Sequence, residues 1–229
     1  MNQLDKELNR LKETVIDMID LVILQVERAQ LSMFSFNDDI LLEATSSEKT
    51  INNLDLKIDT KSENILALYH PVAIDLRFVL ACLSFNVFLE RVGDNAIAIV
   101  KIAKDTKGDF TQEQLKAWRL DEMFTTTLTM LDQIREGIEH DDTKIVASTF
   151  IADKVLKEIN VQSEQSLVEH TTLHPEKIKA TFALYSVFRK LERIGDLETN
   201  LAENLIFYID AKVLKHKKKK IQKFIEKSE

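Results

Sequence analysis

Proline and glycine are nearly missing from this chain of 229 residues, which has two of the first and four of the second. So few breakers exclude a strand-rich protein with its many turns, and they leave long helices as the default. A single cysteine, Cys82, excludes an intramolecular disulfide. Its apolar setting, Val79-Leu80-Ala81-Cys82-Leu83, suits a reduced, buried thiol and an expected cytoplasmic location. No run approaches the ~18 uncharged apolar residues of a membrane span. The stretch from Met1 to Arg10 carries four charges and no apolar run, so neither a secretory signal nor an anchor is expected there. Phosphate-cradling glycine loops and Gly-x-Ser-x-Gly nucleophile motifs are absent, which leaves no catalytic apparatus to recognise. None of the five histidines has a glutamate three residues before it; those positions hold Ala67, Gly137, Leu167, Thr171 and Val213. Ferritin-like oxygen chemistry, which needs Glu-x-x-His pairs, is thereby excluded.

What is present is a helical composition, 45% hydrophobic and 30% charged, with a net charge of −7. The charge is uneven. Residues 212–229 hold eight lysines and two glutamates, a tail of +6, so residues 1–211 carry −7 − 6 = −13. An acidic body repels a nucleic acid backbone, and cations are its expected ligands. The tail, with Ile221, Phe224 and Ile225 at helical spacing, reads as a basic amphipathic extension: a solvated end, or a segment that docks on an acidic partner or an anionic membrane.

The rare residues fall in a repeat. Leu89-Glu90-Arg91-Val92-Gly93-Asp94 returns 102 residues later as Leu191-Glu192-Arg193-Ile194-Gly195-Asp196, and each copy follows a His-Pro step, His70-Pro71 and His174-Pro175. The repeat divides the chain into 1–106, 107–214 and the tail 215–229. Apolar spacing such as Leu8, Leu11, Val15, Met18, Ile19, Val22 predicts helices throughout. Six are expected: Asp5 to Met33; Asn37-Asp38 to Tyr69, with those two residues as caps; Leu76 to Lys104; Gln112 to Glu139; a fifth reaching Glu169 after a turn at His140-Asp141-Asp142; and a sixth after Pro175. The fold class is therefore all-α, two tandem three-helix bundles packed around a pseudo-twofold axis.

Glu90 and Asp94 are four residues apart and share a helix face, as do Glu192 and Asp196. Leu83, Val87 and Ile97 lie along the first face, and Tyr185 and Leu201 near the second. Two close carboxylates on such a surface call for a cation or a basic side chain, with Arg91 and Arg193 available for ion pairs. Glycine before the aspartate costs a helix ~1 kcal/mol relative to Ala, so its place in both copies points to close approach of a neighbouring helix or an ion. All-carboxylate sites suit hard or borderline cations. His70 and His174 fall at helix ends, where capping or solvation is their ordinary role.

The doubled hexapeptide, with Pro71-Val72-Ala73-Ile74-Asp75-Leu76-Arg77 before the first copy, resembles the PhoU family of phosphate-signalling proteins over nearly the whole length short of the tail. The resemblance implies two three-helix bundles and metal sites built from Glu/Asp-x-x-x-Asp segments on adjacent helices. Carried onto this chain, it implies metal ligands at Glu90 and Asp94 with Glu48 and Asn52 as their partner segment. In the second half it implies Glu192, Asp196 and Asn200 with Asp153, for a divalent or trivalent ion of Fe, Mn, Mg or Zn. Lys157, where a ligand would stand, departs from the pattern and can itself neutralise the second pair, which favours the first site for metal. The resemblance further implies a non-enzymatic cytoplasmic adaptor, often dimeric. It would contact the ATPase of a phosphate ABC transporter and a sensor histidine kinase, restraining phosphate uptake and starvation signalling. Alternatives are an accessory protein of a permease-type phosphate transporter, an ion-storage protein, and a metal-dependent hydrolase.

Overall fold

The computed structural model describes residues 2–214 and 224–225, and most of the lysine tail lies outside the described residues. Among the described residues seven α-helices follow one another: α1 Gln3–Phe34, α2 Asp38–Tyr69, α3 Ala73–Asp105, α4 Gln112–Ala117, α5 Leu120–His140, α6 Thr149–Leu173 and α7 Ile178–Asp210. Short 3₁₀ turns, Ile145–Ser148 and Pro175–Lys177, lead into α6 and α7. The helix starts are made by side chains that take up free backbone donors. Asn2 accepts from the Asp5 amide while Asp5 accepts from that of Asn2, both at 2.8 Å. Asn37 caps α2 by accepting from Ile40, as its place in the sequence predicts.

One expected helix is two. The segment from Gln112 to Glu139 breaks at Trp118-Arg119, where Arg119 takes a left-handed backbone (φ 61°). No glycine or proline announces this break. The Arg119 side chain holds it, bonding Glu122 at the start of α5 and Glu158 and Gln162 on α6. The third helix also starts earlier than expected, at Ala73, and α6 runs on to Leu173.

Helices α1, α2 and α3 pack on one another to form the first bundle, and α5, α6 and α7 form the second. The halves meet through like helices, α3 against α7 and α1 against α5. Both pairs run antiparallel. Phe78 near the start of α3 stacks on Tyr208 near the end of α7, with ring centroids 5.1 Å apart, and Arg77 donates to the Tyr208 carbonyl at 3.0 Å. Lys12 of α1 pairs with Asp141 at the end of α5 at 2.9 Å, and Asp20 pairs with Arg135. The pseudo-twofold axis therefore crosses the helices, with α1 and α5 in one layer and α3 and α7 in the other. Phe85, Phe124 and Phe188 are among the largest fully buried side chains. Burying each such ring contributes about 1.5–3 kcal/mol. Cys82 is buried with them, and burial pushes its thiol up out of the titrating range.

Candidate functional site

The two glycines of the repeat set the register of each outer helix. A Cβ on Gly93 would lie 3.3 Å from Cδ1 of Ile51, and one on Gly195 would lie 2.4 Å from Cδ1 of Leu156. Ile51 on α2 thus corresponds to Leu156 on α6, an offset of 156 − 51 = 105, while α3 and α7 keep the offset of 102. Close helix approach, rather than an ion, accounts for the glycines.

In the first seam Asn86, one turn before Glu90, donates to Asp55 at 2.7 Å and to Asp59 at 2.9 Å. Asp55, Asp59, Asn86, Glu90 and Asp94 line one antiparallel contact between α2 and α3. Burial, then Asp94, then Asp55 raise the Glu90 carboxyl above the ordinary value, and burial and Asp59 raise that of Asp55. Arg91 offsets the rise at Glu90 only in part, as the hydrogen bond from Asn86 does at Asp55. The repeat's face brings Glu90 near Asp55, with Asp59 reached through Asn86. Glu48 and Asn52 flank Ile51, which seats on Gly93, and share the α2 face of Asp55 and Asp59; no hydrogen bond among the described residues joins them to Glu90 or Asp94.

The second seam is solved with a lysine. Lys157 donates to Asp153 Oδ2 at 2.6 Å and reaches Asp196 Oδ1 at 3.0 Å, so its ammonium bridges the two helices. Glu192 pairs instead with Arg189 at 2.9 Å, and Asn200 donates to the Asp196 carbonyl at 2.7 Å. Beside the bridge lies Glu198, fully buried, with no hydrogen-bond partner among the described residues on either carboxyl oxygen. Burial and Asp153 raise its carboxyl well above the ordinary range. The position 102 residues earlier is Ala96, so this acid has no counterpart in the first half. Asp153, 8% exposed, is also raised by burial, against the pull of Lys157.

Asp55, Asp59, Asn86, Arg189 and Glu198 escape a reading of the sequence alone. Asp55 and Asp59 carried a signal, the same i,i+4 spacing as Glu90 and Asp94. Glu198 carried none. The histidines stand at helix ends as expected: exposed His70 closes α2 in a left-handed conformation, and His174 closes α6 within 3.4 Å of Glu176.

The two seams differ in what they can hold. In the first, unneutralised oxygen donors suit a hard cation. Among the described residues, however, no three Asp, Glu, His or Cys side chains converge closely enough to share one ion. A cation there would be held by carboxylate pairs with water completing its shell. In the second, the Lys157 ammonium already occupies the place of a cation, and the donor set does not fit a metal.

No helix among the described residues is long and apolar enough to cross a membrane. The family model described as "PhoU domain" matches twice, over residues 15–103 and 120–205. Similar curated proteins include the phosphate-specific transport system accessory protein PhoU homolog 1 of Thermotoga maritima, 29% identical over 92% of this chain and 90% of the relative. The phosphate-specific transport system accessory protein PhoU of Escherichia coli is 25% identical over 93% of this chain and 88% of its own. The crystal structure of PhoU from Pseudomonas aeruginosa superposes with a TM-score of 0.86 at 23% identity, covering 92% of this chain and all of that one. That of the phosphate transport system regulatory protein PhoU from Streptococcus pneumoniae gives 0.79 at 22%, over 92% of this chain and 99% of that one. With two matched domains covering both halves of the repeat, the chain belongs to the PhoU family.

Proposed function

We propose that this protein is an accessory regulator of phosphate transport, a cytoplasmic adaptor that restrains phosphate uptake and starvation signalling. Its partners in this reading are the ATPase of a phosphate ABC transporter and a sensor histidine kinase. The observation that carries the reading is the match of both halves to the family, together with relatives named as accessory proteins of phosphate-specific transport over nearly their full length. The duplicated helical scaffold suits a protein that works by contact, and we read it as non-enzymatic. The test is affinity purification from cells grown at high and at low phosphate. Recovery of the transporter ATPase or the kinase, varying with phosphate, is the expected result. Unchanged phosphate uptake and phosphate-responsive transcription on deletion would sink the reading.

The first seam is, in the same reading, a binding site for a hard divalent or trivalent cation. Glu90, Asp94 and Asp55 supply oxygen donors, with Asp59, Glu48 and Asn52 on the same face of α2, and the ion's charge would offset the burial and like-charge repulsion that raise Glu90 and Asp55. Calorimetric titration with Mn²⁺ and elemental analysis of the purified protein test this. Asp94→Asn is expected to weaken binding at least tenfold. Asn52→Lys, which places the second seam's lysine in the first, is expected to abolish it. Binding unchanged in both variants would remove the first seam as the site.

A further inference from the structure

The repeat extends beyond the acids to a set of exposed apolar side chains. On α7, Ile178 and Phe182 are 56% and 72% exposed, with Tyr185 half-buried beyond them. The positions 102 residues earlier, Leu76, Leu80 and Leu83 on α3, show the same pattern, with Leu80 45% exposed. Each set occupies one helix face about two to four turns before an acidic pair. A groove of about 370 Å³ opens beside Phe182, walled by Leu167 and Val168 of α6. Stripes of this kind on a folded chain mark contact surfaces, since scattered single apolar residues need no explanation but repeated contiguous ones do.

Both stripes face away from the layer of α1 and α5, because the opposite sides of α3 and α7 are used in packing against it. Since α3 and α7 run antiparallel with Phe78 beside Tyr208, Leu80 is level with Ile206. The 24 residues from there to Phe182 span about 36 Å at ~1.5 Å per residue. The same apolar patch is thus presented twice on one side of the molecule, related by the pseudo-twofold axis. Beside the first patch stand Asp55, Asp59, Glu90 and Asp94, none of which forms an ion pair among the described residues.

We propose that the two stripes form one bivalent docking surface for a twofold-symmetric protein partner, each of whose protomers presents an amphipathic segment bearing apolar side chains and a lysine or arginine. The apolar side chains seat on Leu80 and Phe182, and at the first stripe the basic group meets the unpaired acids, while Lys157 and Arg189 already hold those beside the second. An acidic body excludes an anionic lipid surface as the occupant. Pseudo-symmetry matched to true symmetry makes the second contact intramolecular, so two weak contacts combine into a firm one. The inference rests on the adaptor reading and assigns it a surface.

The probe is the purified ATPase subunit of the phosphate ABC transporter encoded in the same genome, titrated with the full chain by calorimetry and sized by light scattering. One chain per two ATPase subunits is expected. Leu80→Asp and Phe182→Asp are each expected to weaken binding 10- to 100-fold, and the double variant to abolish it. Leu24→Asp, on α1 in the other layer, is expected to leave it unchanged. Circular dichroism melts check that the surface variants fold. If the wild type binds and the stripe variants bind equally well, the surface assignment fails and the adaptor reading stands. If the wild type does not bind, both fail. Loss in one stripe variant only, with 1:1 stoichiometry, overturns bivalency. A chain that is dimeric alone and is dissociated by Leu80→Asp or Phe182→Asp makes the occupant a second copy and overturns the proposal.

Discussion

The seam between α2 and α3 and the seam between α6 and α7 begin from the same hexapeptide and arrive at opposite electrostatics. The first gathers carboxylates around Asn86 and leaves them short of positive charge. The second places Lys157 where the first has Asn52, and Glu198 where the first has Ala96. One substitution supplies the missing cation as a side chain; the other adds a buried acid beside it. Duplication thus preserves the scaffold, set by the glycines and their apolar partners, while the charge at the seam is free to diverge. One half keeps an open demand for a cation and the other has met it internally.

The largest break in this comparison should come from Glu198. Replacing it with leucine, of similar volume, removes a buried carboxyl with no hydrogen-bond partner among the described residues and leaves apolar contacts in its place, which stabilises by roughly 1–3 kcal/mol. The effect depends on pH. Because the folded chain holds the Glu198 proton well above the ordinary value of 4.5, the folded state binds more protons than the unfolded one above that pH. Stability of the wild type then falls with rising pH, by up to about 1.4 kcal/mol per unit. Glu198→Leu removes this loss, so the gap between variant and wild type widens from pH 5 to pH 8. Urea unfolding at those two values reads it. A gap independent of pH, or a destabilised variant, would show that Glu198 has a partner in the folded chain.

Lys157→Asn converts the second seam to the residue of the first. Asp153, nearly buried, then loses its only ion pair among the described residues while Glu198 remains beside it. The cost of stranding such a carboxylate is about 2 kcal/mol, below that of a fully buried pair because the Lys157 side chain is 46% exposed. The variant should also gain Mn²⁺ binding that the wild-type second seam lacks, the reciprocal of Asn52→Lys. Thermal unfolding with and without Mn²⁺ measures both effects. A variant that is neither destabilised nor stabilised by the ion would mean that Lys157 does not set the character of its seam.

The fold was readable because apolar spacing near 3.6 persists through long segments, and because the repeat divides the chain. The break at Arg119 was not, since a left-handed arginine is held by Glu122, Glu158 and Gln162 and not by any local breaker. Glu90 with Asp94, and Glu192 with Asp196, were readable since each pair lies within one helix. Their partners across the seam were not, because they depend on which α2 residue seats on Gly93. With Ile51 there, Asp55 and Asp59 come to Asn86, while Glu48 and Asn52 flank the contact at Gly93, beside Asp94 in the sequence. The burial of Glu198 depends likewise on how α7 is rotated against α6, which no spacing within α7 records.

The smallest effects test the glycines themselves, where the seams differ by sterics alone. Alanine at either position gains about 1 kcal/mol of helix propensity. At Gly93 the new methyl lies 3.3 Å from the end of the Ile51 side chain, which needs to give by only a few tenths of an ångström. Gly93→Ala is therefore expected to be neutral or slightly stabilising. At Gly195 the methyl would lie 2.4 Å from Leu156, a side chain with no exposed surface into which to move. Overpacking of this kind costs about 1–3 kcal/mol, so Gly195→Ala should be destabilised by roughly 1 kcal/mol net. Leu156→Val, which withdraws the colliding methyl, should rescue it in a double-variant cycle measured by urea unfolding. Equal responses at the two glycines, or no coupling with Leu156, would show that the seams are packed alike and that charge alone separates them.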